Sequence, residues 1–72
     1  MKEISIYDLL PLLRKGWVAM DKNGDWCWYM RKPTASFALK IWDGMQPTKL
    51  SFLFNIAPFA GHWKDSLMEC GK

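Results

Sequence analysis

Ile6, Leu9, Leu10 and Leu13 fall at the spacing of one helical face, so the start of the chain predicts a helix over roughly residues 6–15. Ser5 stands where a cap is needed, with Asp8 three residues on, a weaker relative of the Ser-x-x-Glu box. Arg14 and Lys15 suit the negative end of the helix dipole, and Gly16 suits the position after it. Pro11 opposes this pattern, because proline inside a helix costs about 3 kcal/mol. The expectation is therefore a short broken helix.

Trp17–Met20 and Trp26–Met30 flank Asp21-Lys22-Asn23-Gly24-Asp25. Asn-Gly between two β-rich runs predicts a hairpin, and a two-residue turn at Asn23-Gly24 pairs Met20 with Cys27, Ala19 with Trp28 and Val18 with Tyr29. One face then carries Trp17, Ala19, Trp26, Trp28 and Met30, and the other Val18, Met20, Cys27 and Tyr29. Both faces are apolar, so the ribbon must be covered on its two sides. A slip of one residue exchanges the partners but makes neither face polar.

Residues 31–36 form a polar break. Phe37, Leu39 and Ile41 alternate with Ala38, Lys40 and Trp42, predicting a third strand over 37–42. Asp43-Gly44 and Gln46-Pro47-Thr48 open a turn. Leu50, Phe52, Phe54 and Ile56 line one face of a fourth strand that Pro58 ends. Trp63 and Leu67 suggest a short C-terminal helix stopped by Gly71. The pattern predicts one small α+β domain over residues 1–72. A short N-terminal helix packs on a four-stranded antiparallel meander, and a short helix follows. The alternative is a small curled β-barrel with helical plugs.

Composition sharpens the class. Half of the 72 residues are hydrophobic and five are Trp, which supplies core material and argues against disorder. The net charge of +3 arises in the middle stretch, where Arg31, Lys32, Lys40 and Lys49 face only Asp43. Such a patch attracts phosphates or an acidic protein face. Cys27 and Cys70 are expected as reduced thiols. The first residues lack the apolar core of a secretory signal, and no apolar run approaches the ~18 residues of a membrane span. A cytoplasmic protein with no membrane partner is expected.

Little in the chain points to catalysis or cofactors. His62 is the only histidine, and Cys27, His62 and Cys70 lack the paired spacing of a zinc site. Asp21–Asp25 superficially resembles a calcium loop, but its glycine comes fourth and its twelfth residue is Lys32. His62 with Ser66 or Cys70, oriented by Asp65, is the one nucleophilic arrangement to weigh. The competing reading makes His62 a loop residue and Ser66 a solvent-facing hydroxyl, and it is preferred. No catalytic residue, metal or cofactor is assigned.

Binding is the chemistry left. Trp26, Trp28 and Tyr29 run directly into Arg31 and Lys32, and Lys40 and Trp42 are expected beside part of that set. Aromatics interleaved with cations suit protein hot spots, or stacking on single-stranded bases. The bland alternative is that the tryptophans are simply core.

Asp8–Leu13, Gly16–Asp21, Gly24–Tyr29 with Arg31-Lys32-Pro33, Ile56–Gly61 and Trp63–Leu67 together resemble a group of short uncharacterised bacteriophage and prophage proteins. Residues 34–49 fall outside the likeness. The resemblance implies an intracellular protein of phage or prophage origin encoded in a bacterial genome and carries over no catalytic residues; small phage products of this size often act by binding host factors. The expected function is thus a non-catalytic protein-binding module whose partner is a host protein, with a homodimer also open. Single-stranded nucleic acid and a small ligand held in an aromatic pocket are the alternatives.

Overall fold

The computed structural model describes residues 3–71. Its chain opens with the helix α1 (Ile6–Leu9), capped by the Ser5 hydroxyl, which accepts a bond from the Tyr7 amide at 3.2 Å. The helix tightens at once into a 3-10 turn, Leu10–Leu12, around Pro11. Proline has no N–H to continue the α-helical ladder, and the predicted broken helix follows from that.

Next come β1 (Gly16–Met20) and β2 (Trp26–Tyr29), paired antiparallel. Their register is one residue off the expected one: Ala19 faces Cys27 and Val18 faces Trp28. The turn is the cause. Gly24 alone has positive φ, +95°, while Asp21 accepts from the Gly24 amide and donates to the Asp25 carbonyl. The loop is therefore the three-residue kind that ends in a left-handed glycine. Asn23 keeps a negative φ and its side-chain oxygen accepts from the Asp25 amide at 3.0 Å.

The shift regroups the faces without wetting either. Every residue of β1 and β2 is buried except Trp17 and Trp28, which are half-buried. On the Val18–Met20–Trp26 side, the Trp26 indole donates to the Ala57 carbonyl and meets the Phe59 ring edge-on. On the Ala19–Cys27–Tyr29 side lies a second hairpin, β3 (Thr34–Ser36) and β4 (Ile41–Asp43). There the Tyr29 hydroxyl donates to the Trp42 carbonyl, and the Trp42 indole donates to the Met20 carbonyl. The ribbon is sandwiched.

Several expected elements take another form. The third strand shrinks to β4, because residues 37–40 form the loop of the β3–β4 hairpin, with Lys40 left-handed at φ +58°. Phe37 and Leu39 are consequently exposed. The fourth strand is only β5 (Thr48–Lys49) on the edge of β2. The Ser51 hydroxyl then takes the Trp26 amide that a longer strand would use, and Leu50–Phe52 turns as a 3-10 helix. Ile56 instead makes a parallel bridge with Ile4.

The C-terminal helix is replaced as well. After one 3-10 turn, Trp63–Asp65, the chain runs as β6 (Met68–Cys70) along the open edge of β1. An unpaired edge of a central strand outweighs a weak helical spacing. The main sheet has the order β5-β2-β1-β6, so it is not a simple meander, and β3–β4 stands apart from it. The result is a small α+β fold with no closed barrel among the described residues.

Asp21 ties the two hairpins together, its carboxylate accepting from the Trp42 amide at 2.8 Å. Burial pushes its pKa above the ordinary 3.8, partly opposed by that bond. A carboxyl whose pKa rises on folding adds stability that is complete below 3.8 and is lost as pH climbs through the raised value. Asp21→Asn keeps an acceptor for Trp42 without the charge. Its Tm relative to the parent should improve as pH is raised from acid to neutral, and thermal melts across that range check it. A difference that stays flat with pH would contradict the assignment.

Candidate functional site

The protein has a radius of gyration of 11.1 Å, as expected for its length, yet exposes 5080 Å², about 10% above the ~4,600 Å² typical of its mass. Large apolar side chains contribute to that surface, and many of them gather at one place. Beside the β5 edge, Trp28, Met30, Arg31, Met45, Gln46 and Thr48 line a hollow of about 390 Å³. Trp28 and Thr48 also line a second hollow of about 270 Å³, completed by Leu13, Arg14, Leu50, Leu53 and Phe54. The two form one groove with Trp28 between them. Met30, Met45 and Leu53 are 67%, 79% and 66% exposed.

Local structure holds this floor in place. The Trp28 indole donates to the Arg14 carbonyl at 3.1 Å, and its ring lies over Gly16. A Cβ at Gly16 would stand 2.7 Å from that ring and 2.5 Å from the Tyr29 carbonyl, so only glycine admits the contact. Leu50 anchors the second hollow from the core.

Of the residues marked from sequence, Trp28 and Arg31 meet in the groove. Trp26, Tyr29 and Trp42 are buried and present no face to a partner. Lys32 is exposed and lies over the Trp17 ring at 5.5 Å. Lys40 belongs to a separate depression with Lys22, Asn23, Leu39 and Ile41. There its ammonium, close to that of Lys22, holds the Lys22 pKa below the usual lysine value. The expected basic and aromatic set is therefore divided among the core and several surfaces.

Met30, Met45, Leu13, Leu53 and Phe54 were not anticipated as a site. Two signals were available. Met45 is an apolar residue inside a Gly-Gln-Pro turn, and Phe52-Leu53-Phe54 is apolar at consecutive positions that one strand face cannot absorb.

The catalytic arrangement weighed for His62 does not form. Ser66, expected at the surface, is fully buried. Its hydroxyl accepts from the Met20 amide at 2.7 Å and lies 2.6 Å from the Trp63 carbonyl, to which it donates. His62 is exposed and its Nδ1 accepts from the Lys64 amide. Burial raises the pKa of both Cys27 and Cys70, which weakens them as nucleophiles. The Tyr29 phenol is pushed well above its usual value by the same cause. Among the described residues no three His, Cys, Asp or Glu side chains come together to hold a metal.

Fold and surface together define a small α+β protein with a preformed apolar groove. Comparison with protein-family models, curated proteins and solved structures finds no match to this chain.

Proposed function

We propose that this chain is a non-catalytic protein-binding module that works through the groove around Trp28. The observation that carries the reading is a cluster of exposed Met and Leu side chains on a fold whose core is already closed. Single exposed apolar residues are ordinary, but a contiguous patch in a hollow marks an interaction surface. Methionine suits this role because its flexible thioether adapts to a partner's shape. Nucleic-acid stacking draws less support, since Trp28 is the one tryptophan in the groove and Trp26, Tyr29 and Trp42 lie in the core.

The phage-type origin suggested by the sequence belongs to the same proposal, as does a host protein in the bacterial cytoplasm as partner. No helix among the described residues is long and apolar enough to cross a membrane. Capture from a bacterial lysate, followed by rebinding of the purified partner, tests the reading. Met45→Asp or Leu53→Asp should each reduce retention at least about tenfold, the effect of ~1.4 kcal/mol. Leu39→Asp, in the separate depression, should leave it unchanged. Equal retention by all three variants would overturn the proposal.

A further inference from the structure

We infer that the occupant of the Trp28 groove is an acidic–apolar peptide segment of another protein, with apolar side chains flanked by carboxylates. The inference rests on the protein-binding reading and adds the chemistry of the partner. One cation lines each hollow, Arg31 with Met30 and Met45, and Arg14 with Leu13 and Leu53. Among the described residues no Asp or Glu lines either one. The floor between them is Trp28, whose indole N–H is already bonded to the Arg14 carbonyl and so asks nothing of a ligand.

An apolar floor with an exposed arginine at the lining of each part and no carboxylate beside it selects a ligand of matching layout. Its apolar residues gain by leaving water, at about 25 cal/mol per Å². Its carboxylates gain charge-assisted, two-pronged bonds from arginine. A basic segment would meet the arginines with like charge, and a purely acidic one would leave the methionines wet. Two copies joined groove to groove would set arginine toward arginine, because a two-fold seam opposes a patch to itself. That disfavours the homodimer and leaves a partner of opposite charge.

Selection from a library of random displayed peptides tests the inference with the intact chain as bait. Peptides enriched on the parent protein should combine Asp or Glu with Leu, Ile, Phe or Met, and their affinity should fall as salt is raised. Arg31→Glu and Arg14→Glu should each weaken a selected peptide about tenfold. Both side chains are exposed, so their melting temperatures should stay near the parent's. The double variant should select basic–apolar peptides instead.

Enrichment of apolar peptides with no charge preference, identical for parent and double variant, would overturn the acidic partner while leaving the groove a protein site. Enriched peptides indifferent to Leu53→Asp would overturn the inference and the choice of surface together. No enrichment would overturn the peptide inference alone, because lysate capture judges the wider reading separately. Self-association that buries Met45, read by light scattering and methyl NMR, would replace the acidic partner with a second copy.

Discussion

Replacing Trp26 by alanine should cost about 3–5 kcal/mol, the range for deleting a large aromatic side chain from a closed core. A 72-residue domain has on the order of 4–11 kcal/mol in total, so the variant should be largely or wholly unfolded. Trp26 is fully buried, packs edge-on against Phe59 and bonds the Ala57 carbonyl, thereby fixing the 57–59 segment over one side of the ribbon. Its loss leaves a cavity, a carbonyl without its donor and a loosened cover at once. Urea denaturation followed by far-UV circular dichroism checks this. A loss below about 1 kcal/mol would mean that the indole lies on the surface.

The second large effect is expected at Ser66. Ser66→Val removes the acceptor of the Met20 amide and adds a methyl group where the side chain is wholly enclosed. An orphaned buried amide costs about 1–3 kcal/mol and overpacking about as much, so a loss of about 3 kcal/mol or more is expected. Ser66→Ala should retain part of that stability, having only the first defect. Denaturant midpoints of the two variants separate the contributions. If both matched the parent, the hydroxyl would be facing water and the C-terminal segment would not be docked on β1.

Ser66 also shows what a linear reading misses. Its neighbours, Lys64, Asp65 and Glu69, are those of a solvated turn. Its burial arises because Met20, 46 residues earlier, offers an amide beyond the end of the β1–β6 pairing. Long-range demands of this kind converted the expected C-terminal helix into β6 and cut the fourth strand to Thr48–Lys49. The two-sided burial of the ribbon, by contrast, was legible, because residues 17–20 and 26–30 are apolar at odd and even positions alike. Its register was not, because Asn23-Gly24 serves a two-residue or a three-residue loop equally well. The choice was made by Gly24 alone adopting positive φ.

The groove was half legible for a similar reason. Trp28 and Arg31 are close in sequence and were marked as a pair, whereas Met45 and Leu53 join them only through β5 pairing with β2. Trp42, grouped from sequence with the binding set, is buried instead, and that burial depends on the β3–β4 hairpin folding back over Tyr29. Only the tertiary arrangement sends its indole to the Met20 carbonyl.

Hydrogen exchange of the indole N–H groups, resolved by NMR, interrogates the two coverings of the ribbon at once. Trp26 reports on the side closed by residues 57–59, and Trp42 on the side closed by β3–β4, each bonded to a backbone carbonyl at 3.0 Å. Both should exchange only through global opening, with the same dependence on added denaturant. An indole of either residue exchanging as fast as in a short peptide would mean that one side of the ribbon is wet, and the sandwich described above would be wrong.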